Sequence, residues 1–141
     1  MEENIQYTTS FIVFPENCNH HRELIFGGWF MSQIDLAAAI CVKRYLLNNI
    51  DVSEAVTHKF EVDFKKPCYV GDMIELECEL SVTGPKSITV EVVARRHNVG
   101  REGLVAKAKL VFITIADVKS LEDHPTFLPY KEHGWYLDGT N

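Results

Sequence analysis

The feature that most constrains this chain is a change of hydrophobic period near residue 50. From Trp29 to Leu47 there is no Pro or Gly, and good helix formers (Met31, Gln33, Leu36, Ala37, Ala38, Ala39) fill the segment. Its middle, Ile34 to Val42, is apolar nearly all round except at Asp35, which predicts one long helix buried on most sides. Lys43 and Arg44 lie toward its carboxyl end, where the helix dipole favours cations, and Asn48-Asn49 suits a terminus. After the helix the pattern alternates with period two. The apolar sets are Val56, His58, Phe60, Val62 and Phe64, then Ile74, Leu76, Cys78, Leu80 and Val82, then Ile88, Val90, Val92 and Ala94, and finally Ala106, Ala108, Leu110 and Phe112. Each reads as a strand with one buried face. A first strand is expected over Phe11–Phe14, ended by Pro15. Gly84-Pro85 and His97–Gly103 are turn chemistry between neighbours, so the later strands are expected to be antiparallel. About five strands with one apolar face, and one helix that needs cover, give an α+β arrangement in which the sheet wraps the helix. One curved sheet seldom hides such a helix, so a second copy is expected alongside, most simply a homodimer.

Composition sets the scale. The 141 residues are read as one domain, residues 1–141, with a core of about 8–117 and a tail of 118–141; Met1–Thr9 and the tail have linker-like composition. A net charge of −6 argues against a protein that coats nucleic acid or anionic membrane. No apolar run approaches the roughly 18 residues needed to span a bilayer, and the amino terminus lacks the marks of a secretory signal, so a cytoplasmic location is expected. Cys18, Cys41, Cys68 and Cys78 are widely spaced and read as free thiols. Cys18, His20 and His21 are close in sequence, but a second ligand pair is missing and no metal site is expected.

Asp35 is the residue that does not fit. It sits about two turns into the helix, too deep for an N-cap, and positions three and four away hold Met31, Ser32, Ala38 and Ala39, none a cation. A carboxylate that loses water without a partner costs several kcal/mol, so Asp35 lies either on a solvent-facing strip beside Ser32 or in a cleft as a base. Gly27-Gly28 enter the same helix; either they make a tight turn, or they let a ligand reach the unsatisfied first amides, which suit a carbonyl oxygen gaining negative charge.

Three segments carry a family resemblance. FGGWFMSQID (Phe26 to Asp35), followed by LAAAICV, resembles the central-helix motif of hotdog-fold acyl-CoA thioesterases. FKKPCYVGD (Phe64 to Asp72) is similar to that family's Phe-x-x-Pro-x-x-x-Gly-Asp connection, and TGPKSITVEV (Thr83 to Val92) falls where the family has a Gly-containing turn, a Ser and an alternating strand. The matching order covers roughly residues 11 to 115. The resemblance implies a hotdog fold, dimers and often higher oligomers such as tetramers or hexamers, and hydrolysis of acyl-CoA to free acid and CoA with no added cofactor. It makes Asp35 the catalytic acid, as general base on water or as nucleophile, and Gly27 and Gly28 the helix-entry amides. The family also places an Asn from the opposing subunit's loop near the acid. That register falls on His20, with Asn19 one residue early and Glu23 where the family has Gly, so Asn19 and His20 both stand as candidates.

From Gly84 to Lys109 there are six basic residues against two acids, enough for the phosphates of one CoA. Lys86 and Ser87, at the turn where the resemblance implies cofactor contacts, and Arg96 are the candidates. Two other readings remain: a hotdog hydroxyacyl-CoA dehydratase or hydratase, disfavoured by the absence of His between Gly28 and Leu47, and a non-catalytic acyl-CoA-binding protein.

Overall fold

The computed structural model describes residues 5–47 and 54–115; Asn48-Asn49 and the 118–141 tail lie outside the described residues. The elements run β1 (Ile5–Ile12), a short 3-10 turn (Pro15–Asn17), α1 (Gly27–Leu46), β2 (Glu54–Phe64), β3 (Met73–Gly84), β4 (Ser87–Arg96) and β5 (Gly103–Ile115). The strands form one antiparallel sheet in the order β1-β3-β4-β5-β2. Ile74, Leu76, Leu80, Ile88, Val90, Val92, Ala106 and Leu110 make its buried face. On α1 the buried residues are Phe30, Ile34, Ala37, Ala38, Cys41, Val42 and Leu46, a stripe at helical spacing laid along that face. Phe11 of one edge strand packs edge-on against Trp29 and Phe30, at 5.1 and 5.8 Å between ring centroids. Phe64 of the other edge strand meets Phe30 at 5.4 Å. Both edges of the sheet therefore curl onto the start of the helix, which is the hotdog arrangement.

Two expectations change. The first strand begins at Ile5 within the segment read as linker, and pairs along β3 from Ile5↔Leu80 to Ile12↔Met73. Ladder hydrogen bonds hold this edge strand, with Gln6, Thr8 and Ser10 exposed, so an apolar run is a poor guide to it. In β2 the alternation breaks. A bulge lies between Thr57 and Lys59, so Thr57 faces Phe112 across the ladder while Phe60 faces Leu110. The extra residue switches the phase of the strand. His58 is exposed and Thr57 turns inward, the reverse of the expected pattern. As expected of one curved sheet, the helix keeps an exposed strip among the described residues, made by Ser32, Leu36, Ala39 and Lys43, with Leu36 at 55% exposure.

Candidate active site

Asp35 points from the third turn of α1 toward β2, half-buried. Its Oδ1 accepts a hydrogen bond from the Thr57 hydroxyl at 3.1 Å. The bulge makes this bond, because an unbroken pleat would turn Thr57 away. Ser32 is not a partner; its hydroxyl donates to the Trp29 carbonyl at 2.6 Å. Among the described residues no Lys or Arg pairs with Asp35. Among the described residues the carboxylate is thus oriented on one oxygen and has no cationic partner. Sequence reasoning missed Thr57, since it sits on the polar phase of an apparently regular strand.

At the helix start, Phe26 caps only through its backbone: no side chain caps the N-terminus and no acid lies in the first turn. Phe30 N–H, bonded to the Phe26 carbonyl at 3.0 Å, is an intrahelical pair, whereas the amides of Gly27, Gly28 and Trp29 precede any such partner. A Cβ on Gly27 would meet nothing within 4 Å, so the space over this turn is open. At Gly28 the room is taken by the Phe26 ring, 2.9 Å from the position a Cβ would occupy. Seven residues at about 1.5 Å each separate Gly28 from Asp35 by about 10 Å along the axis. Within one chain, then, the two do not converge on one carbonyl.

The loop before the helix is a narrow hairpin. Cys18 bridges Ile25, and Asn19 N–H donates to the Leu24 carbonyl at 2.8 Å. Asn19 Oδ1 accepts from His21 N–H at 3.1 Å, which commits its carbonyl to its own loop. His20 is exposed, its ring 3.9 Å from that of His21. This hairpin is tied to the β2–β3 loop by Ile25 N–H to the Cys68 carbonyl (2.9 Å) and Val70 N–H to the Glu23 carbonyl (3.0 Å).

Asp72 anchors that second loop. It is 1% exposed and accepts from Tyr69 N–H (2.9 Å), Asn98 Nδ2 (3.1 Å) and Arg101 (3.1 Å), with Arg96 at 3.6 Å. Arg96 corrects one expectation. It continues the inward phase of β4 and is 8% exposed, donating to the carbonyls of Arg101 (2.6 Å) and Pro67 (2.9 Å). Its guanidinium is committed inside the fold and does not face a phosphate outside. Lys86 is exposed at the β3–β4 turn, and Ser87 Oγ lies 2.7 Å from the Thr83 hydroxyl. Ser87 pairs with Ile113, which pairs with Val56, next to Thr57. The turn is therefore at the same end of the sheet as Asp35, two strands over, or about 10 Å.

Burial pushes the Cys41 and Cys68 thiols up to about 11 and Cys78 up to about 12, and it raises Cys18 as well. Among the described residues no group of three or more His, Cys, Asp or Glu is placed to hold a metal ion, and no helix is long and apolar enough to cross a membrane.

Residues 17–102 match the family model of the thioesterase superfamily. The chain belongs to that superfamily. It is 31% identical over 131 residues to the uncharacterized acyl-CoA thioester hydrolase YkhA of Bacillus subtilis, covering 91% of this chain and 73% of that one. Among solved structures it resembles an acyl-CoA hydrolase from Staphylococcus aureus, with TM-score 0.70, 30% identity, and coverage of 81% of this chain and 68% of that one. That hydrolase has been solved with butyryl-CoA and CoA, and as variants in which one Asp, one Asn or one Thr is replaced by Ala. A hexameric acyl-CoA thioesterase is similar to the same degree, with TM-score 0.69, 30% identity, and coverage of 81% and 70%. Asp35 and Thr57 both lie within the matched span.

Proposed function

We propose that this chain is an acyl-CoA thioesterase that hydrolyses the thioester to free acid and CoA, with Asp35 as its base. The observation that carries the reading is the half-buried, unneutralised Asp35, oriented by Thr57 in a thioesterase-superfamily fold. Asp35 takes a proton from water as the water oxygen bonds to the thioester carbon. Collapse of the tetrahedral intermediate breaks the C–S bond, and the proton passes to the departing sulfur. Attack by the Asp35 carboxylate itself, with water then opening the anhydride, is the other route the same group allows.

The oxyanion needs donors near Asp35, and its own helix start is about 10 Å away along the axis. A second copy of the chain supplies them in this reading: its Gly27 and Gly28 amides polarise the carbonyl, and its hairpin presents Asn19 Nδ2 or the His20 ring to the attacking water. The exposed strip of Leu36 and Ala39 is apolar surface suited to such a homo-oligomer. The kinship with a hexameric acyl-CoA thioesterase supports assembly beyond the monomer. Lys86, with Ser87 beside it, faces the CoA phosphates from the same end of the sheet.

The test is thiol release from a panel of acyl-CoAs by wild type and Asp35→Asn, with native mass measured alongside. Activity retained in a folded, assembled Asp35→Asn protein rejects the mechanism. Asn19→Ala and His20→Ala, compared on the same substrate, identify which loop residue serves the site.

A further inference from the structure

We infer that the Phe26 ring is a wall of the oxyanion pocket, standing across the amino end of α1 so that the Gly28 and Trp29 amides stay uncapped and are shielded from water on one side. The inference rests on the thioesterase reading above and names a positioning residue for its site. Phe26 is the N-cap of α1, with extended backbone (φ −74°, ψ 124°) and no side-chain cap. A Ser, Thr, Asp or Asn at that position would accept a bond from the second or third helical amide, here Gly28 or Trp29. Phe offers no acceptor, so both donors are left for a ligand. A helical Cα–Cβ bond tilts toward the amino end, the direction in which the first amides also point. A Cβ on Gly28 would meet Cε1, Cζ and Cδ1 of the Phe26 ring at 2.9, 3.4 and 3.5 Å. The ring therefore lies at that end of the helix, beside the amides, in the space that Gly28 leaves by having no side chain.

The other side of the turn stays open. Gly28 remains exposed, and a Cβ on Gly27 would meet nothing within 4 Å, so a thioester oxygen can still reach the amides. Water that solvates an amide must be displaced before the amide holds an oxyanion, and nearby water screens the bond once it forms. An aromatic wall reduces both effects without taking a hydrogen bond from either donor. The shielding acts on charge that develops only during attack, so it belongs in kcat and leaves KM alone. Stability and rate are therefore opposed at position 26: a side chain that caps this helix well also fills its oxyanion donors.

The experiment compares wild type with Phe26→Ala, Phe26→Leu and Phe26→Ser. It measures kcat and KM for acyl-CoA hydrolysis, millisecond hydrogen exchange of the Gly28 and Trp29 amides by quench-flow and mass spectrometry, and thermal melting with native mass. In Phe26→Ala, kcat should fall at least tenfold with KM within twofold of wild type, and the two amides should exchange at least threefold faster. Phe26→Leu, which keeps an apolar wall, should recover most of the lost kcat. Phe26→Ser should melt above Phe26→Ala yet have the lowest kcat of the set. Wild-type kcat in Phe26→Ala overturns the inference, as does a loss carried entirely by KM, an unchanged exchange rate, or a Phe26→Ser protein more active than Phe26→Ala. If Phe26→Ala does not fold or assemble, equal kcat in the Leu and Ser variants overturns it. Wild-type protein that hydrolyses no acyl-CoA rejects instead the function on which the inference rests, and the exchange rates still decide whether the ring shields the amides.

Discussion

Two aspartates divide this molecule. Asp72 is 1% exposed and surrounded by donors from a backbone amide, Asn98 and Arg101, with the Arg96 guanidinium beside it. Asp35 is half-buried and, among the described residues, holds one side-chain donor, Thr57. A carboxylate whose oxygens are filled is a structural tie, because any other proton or ligand must displace a bond already made. One anchored on a single oxygen keeps a defined direction and still has room to accept a proton. The same residue type therefore closes the loop end of the fold and opens the helix–strand contact to chemistry.

The comparison breaks most directly at Asp35. Asp35→Asn should lower kcat for thioester hydrolysis by about 10²–10⁴-fold, the range for a positioned general base, while leaving thermal unfolding nearly unchanged. Asp72→Asn should do the reverse. It leaves the buried Arg96 guanidinium without its counter-charge, and chemical denaturation should show a loss of about 3–5 kcal/mol. Thr57→Val keeps the shape and removes the Thr57 hydroxyl bond to Asp35; a bond to a charged group is worth about 1.5–3 kcal/mol, so kcat should fall by at least tenfold. A Thr57→Val enzyme with wild-type kcat would mean that the bond does not orient the base. Arg101→Gln removes the partly exposed partner of Asp72, and less than about 1 kcal/mol of stability should go with it.

The smallest effect reads the loop end directly. Cys68 is 1% exposed and its thiol is pushed up to about 11, chiefly by burial and secondarily by the Asp72 charge. In native protein at neutral pH a thiol reagent should label Cys18 well before Cys68. Asp72→Asn should speed Cys68 labelling, because it removes a charge that raises the thiol's pKa, whereas Arg101→Gln removes one that lowers it. The sign with pH follows from the same shifts. Thiols that ionise near 9.0 when unfolded, but at about 11 to 12 when folded, add stability below pH 9, and it is lost as pH rises toward those values.

Much of this is legible in the sequence alone. Asp35 stood out because a charge in an apolar helical run has no local explanation, and the alternation of Ile74–Val82, Ile88–Ala94 and Ala106–Phe112 matches buried faces that the structure contains. Edge strands were harder. β1 is held by ladder bonds with polar residues outward, and β2 carries a bulge that periodicity does not encode. Arg96 differs for a related reason: counted among the basic residues of its segment it resembles a phosphate contact, but its inward phase makes it the counter-ion of Asp72.

The sequence by itself determined the elements and the chemistry available, because hydrophobic period and residue type are local properties. It placed one apolar helix before a run of one-faced strands, put an unpartnered acid in that helix, and left its first turn without a capping side chain. Tertiary structure alone decided which groups meet. A single extra residue at His58 turned Thr57 onto Asp35, and register set Phe112 opposite Thr57. The rise of the helix kept Gly28 about 10 Å from Asp35. Contacts of this kind depend on strand register and helix placement across distant parts of the chain, and no spacing within one segment encodes them.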